Sequence, residues 1–537
     1  MAAQAIDNRD EGIGQYLPIL GILMLGLFIV ILNQTLLSVA MPRMMTDFNV
    51  GATTIQWLST GFMLVNGALI PLSAFLIERF GTRILFILAM VLFTIGAFIC
   101  GIAPTFSVEL TGRLIQAAGG GILQPLVMTI IMFIFPPHMR GRGMGIFGLA
   151  MMFAPAIGPT LSGWVIEHYN WRVMFYAMVP LGALVVIIAF FTLKNVIEPK
   201  LVKLDLLGAF LSLLGVASLL YGVSEAGTDG WDDIIVISTI AIGIISIIAF
   251  VVQQLRSEKP LLDFRVFKYD MFSLSNVISA IITVAMFTGL FLLPLYLQNL
   301  RGFTPLESGI LMLPGALVMA AMSPISGILF DKVGPRPLAI TGLLITIVTT
   351  YEFTKLTPET AYSTLLAIYM IRSLGMSMLM MPIMTAGMNQ LPKHLNSHGT
   401  AMTNTIRQVS GAIGTSLVTT VYTNRTSFHA ENFGQEMSLT DPSFAQTFQN
   451  MVQSIMSAMH QTAEQAQATA MQLINGQILI QSNVQGMNDA FWWATGFAVA
   501  GLVLSLFLRD VRKDKVREEI QSENDVKLLP SPINESK

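Results

Sequence analysis

Apolar residues in this chain come in long runs separated by short polar stretches. Each run is about 20 residues, the length a helix needs to cross the hydrocarbon layer. Fourteen runs can be placed, at 17–41, 54–77, 84–103, 106–134, 142–165, 172–193, 204–224, 233–253, 272–297, 307–330, 337–356, 361–389, 401–422 and 490–508. The pattern predicts an all-α integral membrane protein with 14 transmembrane helices. The first run is too long for a signal-peptide core and has no basic leader, so a retained helix is expected.

Two long connections interrupt the pattern. Residues 254–271 are mixed in charge, and residues 423–489 are rich in Gln, Met, Ala and Ser. Within the second, Phe448, Met451, Val452, Ile455, Met456 and Met459 fall at helical spacing after Asp441-Pro442-Ser443. An amphipathic helix or helical hairpin is expected there, broken near Asn475-Gly476. A surface cap or a lid facing the substrate would both fit it.

The runs also repeat. A polar loop, Glu78-Arg79-Phe80-Gly81-Thr82-Arg83, returns as Asp331-Lys332-Val333-Gly334-Pro335-Arg336, 253 residues later. The order is kept: acid, base, apolar residue, Gly, one variable residue, Arg. Arg113 in the fourth run pairs with Arg372 in the twelfth, 259 residues on, and Ala156-Ile157-Gly158 with Ala412-Ile413-Gly414, 256 on. Three landmarks at nearly one offset pair runs 1–6 with runs 9–14 and leave runs 7 and 8 as an insert. Parallel halves related by an axis along the membrane normal are one plan of secondary transporters.

Composition agrees. The chain is 53% hydrophobic and 12% charged, against roughly 25% charged in soluble domains. The single cysteine, Cys100, excludes an intramolecular disulfide. The distribution of bases decides orientation. Arg79, Arg83, Arg140, Arg142, Lys194, Lys200, Lys203, Arg256, Lys259, Arg265, Lys268, Lys332, Arg336 and Lys393 share a side with the termini. Arg509, Arg512, Lys513, Lys515 and Arg517 of the C-terminal tail join them, whereas the opposite loops hold only Arg43, Arg172, Arg301, Lys355 and Arg425. Both termini, and both copies of the charged loop, are expected in the cytoplasm.

These motifs resemble the major facilitator superfamily, specifically its fourteen-helix drug:proton antiporter branch of multidrug and lincomycin-resistance type. The loop after run 2 is similar to the G-x-L-x-D-R-x-G-R-[KR] element, with Ala74 for Gly and Glu78 for Asp. The copy from Gly327 to Arg336 is cleaner. Arg113-Leu114-Ile115-Gln116 followed by Gly119-Gly120-Gly121 is similar to R-x-x-Q-G-x-G. Gly148 and then Pro155, Gly158, Pro159, Ser162 and Gly163 resemble the antiporter element G-P-x-x-G-G, with Ser162 for one Gly. One departure matters: Leu32-Asn33-Gln34-Thr35 places an amide where the family usually has an acid, and an amide cannot exchange a proton.

The resemblance implies a major facilitator fold: two six-helix bundles plus two inserted helices. The expected organisation is a cytoplasmic tail at 1–16, an N-terminal bundle at 17–193 and a linker with two inserted helices at 194–271. A C-terminal bundle at 272–508 includes the extracellular segment 423–489, and a cytoplasmic tail follows at 509–537. It further implies a multi-pass protein of the cytoplasmic membrane that exports amphipathic small molecules by proton antiport and alternating access. An exporter of an endogenous anionic metabolite, lipid or signalling molecule is the alternative. The expected partners are a small-molecule substrate, protons and the lipid bilayer, around a monomeric chain. No cofactor, metal or nucleic acid is expected, and no enzyme activity.

Ionisable residues inside the bilayer are functional candidates because a charge there is costly. Arg113 and Gln116 project from one helix face. Arginine stays protonated, so Arg113 suits tuning a neighbour, or simply tying span 4 to span 1. Glu109 lies one turn before Arg113, where an ion pair or, near the outer end, plain solvation would both fit. Arg372 mirrors Arg113, and Arg407 is able to bind an anion or to snorkel. Asn33, Gln34, Gln116 and Gln124 are candidate cavity-lining residues, though amides also glue helices together. The implied cytoplasmic gate is Glu78, Arg79, Gly81 and Arg83 with Asp331, Lys332, Gly334 and Arg336. Pro155, Gly158, Pro159 and Gly163 would allow close helix packing and a bend. His394 and His398 lack a third metal ligand, and Gly141-Arg142-Gly143 lacks the context of a nucleotide loop.

Overall fold

A chain this apolar must satisfy its backbone internally wherever lipid surrounds it, and the helix does so within one segment. The computed structural model describes residues 17–200, 204–227, 229–258, 260–436, 442–460 and 462–510. Among these the regular structure is helical, with no strand. The two tails at 1–16 and beyond 510, with Arg512, Lys513, Lys515 and Arg517, lie outside the described residues, as do Lys203 and Lys259.

The helices are α1 (Leu17–Phe48), α2 (Ala52–Leu69), α3 (Ser73–Ile102), α4 (Phe106–Ile134), α5 (Arg140–His168), α6 (Arg172–Thr192), α7 (Leu206–Ala226) and α8 (Ile234–Arg256). They continue as α9 (Asp270–Leu295), α10 (Pro305–Val333), α11 (Pro335–Glu352), α12 (Tyr362–Ser377), α13 (Met380–Gln390), α14 (Asn396–Glu436), α15 (Pro442–Met459) and α16 (Ala463–Ser505). Eleven segments among the described residues are long and apolar enough to cross a membrane. The expected runs at 54–77, 401–422 and 490–508 are not among them. The first is interrupted by a turn between Leu69 and Ser73. The second lies in a helix that carries Asn404, Arg407 and Gln408, and the third ends early, at Ser505.

Both charged loops turn on a glycine. Gly81 has φ 72 and ψ 168, and Gly334 has φ 87 and ψ 179, a left-handed conformation that costs a residue with a side chain energy. Phe80 closes one helix and Thr82 opens the next, so α3 contains a corner. The side chain packed against each glycine follows a later span. A methyl group at Gly81 would meet Asn195 Oδ1 at 2.9 Å, and one at Gly334 would meet Asp510 Oδ2 at 2.9 Å. We call the end of the bundle that carries both corners the basic end, and the opposite end the far end.

α7 and α8 pack closely because glycine faces them. A Cβ at Gly215 would meet Ile247, and one at Gly243 would meet the Leu219 backbone nitrogen at 2.7 Å. Much of the remaining surface of α8 is exposed isoleucine, including Ile234, Ile237, Ile245 and Ile248. α7 wedges between α2 and α14. Leu220 fills the space beside Gly67, Tyr221 stacks on Trp57 with ring centroids 5.8 Å apart, and Gly227 lies against Ser416. Trp231, just beyond α7, donates to Thr420 Oγ1 at 2.8 Å.

The segment 423–489 is helical nearly throughout. α14 runs to Glu436, and Phe448, Val452 and Ile455 of α15 pack on Ala466 and Ala470 of α16. The expected break near Asn475-Gly476 is absent, since α16 continues through it. The corner lies instead at His460, whose φ is 50. Asp441, part of the expected start signal, lies outside the described residues.

An added Cβ at Gly476 would meet nothing within 4 Å. Gly476→Ala should therefore stabilise the purified protein by about 1 kcal/mol, the helix-propensity difference. A raised thermal midpoint checks this; a lowered one would mean that the chain bends there.

Candidate functional site

The most unusual feature of the interior is a guanidinium with no carboxylate in ion-pair contact. Arg113 lies two turns into α4 and is 1% exposed. Its Nη1 donates to Asn33 Oδ1 of α1 at 2.7 Å and to Gln116 Oε1 at 3.1 Å. The guanidinium carbon lies 4.4 Å from the centroid of the Phe62 ring of α2. Three helices therefore converge on one cation. The helices approach this closely because α4 presents glycines. A Cβ at Gly120 would meet Val30 Cγ1 of α1 at 3.1 Å, and one at Gly121 would meet the Asn66 carbonyl of α2 at 2.6 Å.

Asn33 has a clear part in this geometry. An amide accepts from the guanidinium without neutralising it, so the positive charge is kept inside the protein. Glu109 is fully buried, not solvated, and beyond the Cys100 thiol beside it neither of its carboxyl oxygens has a hydrogen-bond partner. The other candidates separate from this cluster. Gln34 is exposed, and Gln124 is half-buried, donating to Met151 Sδ at 3.0 Å. Arg372 is buried in the other half, where it donates to the Ala285 carbonyl at 2.9 Å and lies over Gly289. Gly289 stands 256 residues after Asn33, so the mirror position offers backbone where α1 offers an amide. A small cavity, about 10 Å³, lies among Thr283, Met380, Met384, Thr403 and Arg407. Arg407 donates to Asn404 Oδ1 at 3.0 Å.

The glycine-proline run of α5 sits between α1 and α10. A methyl group at Gly158 would strike Thr35 Oγ1, and one at Gly163 would meet Leu306 Cβ at 3.3 Å. Ser162, the departure from the glycine pattern, donates to the Leu36 carbonyl at 2.7 Å and so ties α5 to α1. Pro155 and Pro159 are both accommodated inside the helix.

Polar contacts between the two halves gather at the basic end. Asp331 accepts from the backbone nitrogens of Gly141 and Arg142, both at 3.0 Å, and so caps the start of α5. A carboxylate at a helix N-terminus is favoured by the helix dipole and the free N–H groups there. Arg140, 2% exposed, donates to Asn389 Oδ1 at 3.2 Å and to the Met132 carbonyl at 3.1 Å. Thr129 and Thr400 share a hydrogen bond of 2.5 Å. Ser323 donates to the Gly145 carbonyl at 3.0 Å, where α5 and α10 touch backbone to backbone at Gly141 and Gly327.

Glu78 occupies the equivalent place in the first half but meets a side chain. Its Oε1 lies 3.7 Å from His398 Nε2 at the start of α14. His398 Nδ1 accepts from the Asp263 backbone nitrogen at 3.3 Å, which leaves the ring proton on Nε2, facing Glu78. Burial pushes the His398 imidazole down, against the pull of Glu78 and Asp263. Arg83 binds within its own half, to the Phe190 carbonyl at 2.7 Å. Arg79, Lys332 and Arg336 are exposed on the rim. Sequence reasoning counted Arg140 and His398 only as a loop charge and a discarded metal ligand. The repeat held the signal: Arg140 and Asn396 stand 256 residues apart, each opening a helix.

Helical halves that meet through reciprocal loops, one of them holding a buried fixed charge, are the architecture of a polytopic membrane transporter. A sequence profile of the Major Facilitator Superfamily matches residues 23–415. The chain belongs to that superfamily; it is a multi-pass membrane transporter and not an enzyme. It is 66% identical over 525 residues, 98% of each chain, to the uncharacterized MFS-type transporter YhcA of Bacillus subtilis (strain 168). It is 38% identical over 407 residues, 75% of this chain and 85% of the other, to the lincomycin resistance protein LmrB of the same organism. The fold is similar to that of the human organic anion transporter MFSD10, with a TM-score of 0.61 at 13% identity over 91% of this chain and 99% of that one.

Gly158→Leu should insert normally and lower transport at least about tenfold, since overpacking at such a contact costs about 1–3 kcal/mol. Uptake into vesicles, normalised to the amount of protein, measures it. Undiminished transport would show that the α1–α5 contact at Thr35 is dispensable.

Proposed function

We propose that this chain exports amphipathic small molecules across the cytoplasmic membrane in exchange for protons. The observation that carries the reading is the buried, unneutralised Arg113 held by Asn33 and Gln116 near one end of α4, with the basic end at the other end of that helix closed. A site of fixed charge sealed from one side is what alternating access requires. The names of relatives, lincomycin resistance proteins and a multidrug transporter among them, support an amphipathic drug-like substrate.

In this reading the chain crosses the membrane fourteen times. The eleven apolar segments are joined by α2 with the first turns of α3, by the first part of α14, and by the end of α16. The basic end and both termini face the cytoplasm. Arg113, Asn33, Gln116 and Glu109 lie on the substrate and proton pathway, with Gln34, Gln124 and Arg372 beside it. Asp331 on the α5 N-terminus and Glu78 against His398 act as latches that hold the cytoplasmic side closed. Pro155, Gly158, Pro159 and Gly163 let α5 move as a tight rod against α1 and α10.

A second reading has one specific observation behind it. Arg113, Arg372 and Arg407 have no carboxylate within ion-pair distance among the described residues. Three free guanidinium charges would suit an anionic metabolite or lipid headgroup. Proteoliposomes under an imposed pH gradient separate the readings. Accumulation of ethidium or lincomycin with proton release supports the first. Accumulation of organic anions instead, lost in Arg113→Gln, supports the second.

The latches are chemically unequal, so their removal should be too. Asp331→Asn removes a charge that accepts two backbone bonds, each worth about 1.5–3 kcal/mol. It should slow exchange about tenfold or more. Glu78→Gln loses only a longer contact to a neutral ring and should cost under about threefold. Equal, negligible effects on initial rates would sink the latch assignment.

A further inference from the structure

We propose that Glu109 carries the coupled proton in this chain and that Arg113 sets its charge state. The inference rests on the antiport reading above and identifies the group that reading leaves open, since Asn33 cannot titrate.

Glu109 is the one fully buried carboxyl side chain among the described residues. It stands in the first turn of α4 against the Cys100 thiol, with no cation or amide bonded to either oxygen. The charged and titratable groups around it come from three elements: the Cys100 thiol of α3, Arg113 of α4 and Arg172 of α6. Arg172 is committed elsewhere, donating to the Ala103 carbonyl at 2.9 Å and lying 3.5 Å from Asp47. Arg113 is one turn away on the same face, within reach of an i, i+4 ion pair. It does not make that pair in this structure; it is bonded to Asn33 and Gln116, with its Nε unpartnered.

An ionised carboxylate with no cation bonded to it is too costly to keep in an apolar interior, so here Glu109 is protonated. Arginine does not give up its proton. The pair therefore has two arrangements. In one, Glu109 is neutral and Arg113 is held by the amide of Asn33. In the other, Arg113 leaves Asn33 and pairs with the Glu109 carboxylate. Passage to the second breaks the Glu109 O–H bond, leaves the electron pair on the carboxylate, and delivers the proton to water. The interior then holds no net charge at this site. A cationic substrate beside Arg113 is repelled in the first arrangement and accepted in the second, so substrate and proton exclude one another. The mirror positions are Ile368 for Glu109 and Gly289 for Asn33, so only one half carries this switch.

Two measurements on the full-length protein in liposomes test this. The first is infrared difference spectroscopy across a pH titration. The wild type should show a carboxylic-acid carbonyl band of an apolar setting, absent from Glu109→Gln and shifted in Glu109→Asp. The second uses ethidium and lincomycin as probes. Probe-driven proton release should fall at least tenfold in Glu109→Gln and persist in Glu109→Asp. Downhill equilibration of cationic ethidium should fall with it in Glu109→Gln, because a neutral amide there leaves Arg113 in the first arrangement. A band that survives Glu109→Gln, or proton release at the wild-type rate in that variant, overturns the assignment. Wild-type protein that exports the probes without releasing protons sinks the antiport reading itself. If Glu109→Gln fails to insert, the band shift in Glu109→Asp still decides.

Discussion

A positive charge that cannot be neutralised by losing its proton sits inside an apolar bundle, and the N-terminal half is built around holding it. Placing a guanidinium at membrane depth costs about 3 kcal/mol on insertion scales. Two hydrogen bonds from a charged donor, at about 1.5–3 kcal/mol each, and a desolvated aromatic face at about 2 more than offset that. The offset needs α1, α2 and α4 within one side chain of each other. That proximity in turn needs glycine where α4 meets α1 and α2, at Gly120 and Gly121. Substituting a carboxylate for Asn33 would make the same contact but remove the net charge. The amide keeps the charge available.

The two halves repeat one design with different chemistry at each joint. The positive-φ glycine, with a polar side chain packed against it, is kept at Gly81 and Gly334. The acid before it is also kept, yet Asp331 takes two backbone N–H groups while Glu78 meets an imidazole. The buried arginine is kept at Arg113 and Arg372, yet only the first is bonded to another helix through a side-chain amide. A duplicated frame thus carries one asymmetric site.

Much of this was legible in the sequence because membrane burial writes itself as uninterrupted apolar runs, and because the repeat recurs at a nearly constant offset. Arg113 with Gln116 could be read from helical spacing alone. The burial of Glu109 could not. Its distance from the end of the run suggested water, and only the packing of Cys100 and Arg113 around it removes that water. The role of Arg140 was hidden for the opposite reason: it sits in a loop by charge count but folds back under Asn389. A helical hairpin in 423–489 is readable from the spacing, but the place of its break is not: Asn475-Gly476 reads as a stop locally, whereas α15 braces α16 earlier along its length.

The packing of α7 has a consequence for how molecules in the lipid could reach the interior. The halves meet along two flanks, α5 against α10 and α2 against α14. Leu220 and Tyr221 of α7 stand across the second flank, stapled to α2 by the Trp57 stack, while the Trp231 bond beyond its end holds α14. A lipid-borne molecule arriving there would meet a shutter of leucine and isoleucine, not a seam. α7 and the residues that follow it are stacked or bonded to a helix of each half, so this flank is closed by an added helix where the other is closed by direct packing of α5 on α10.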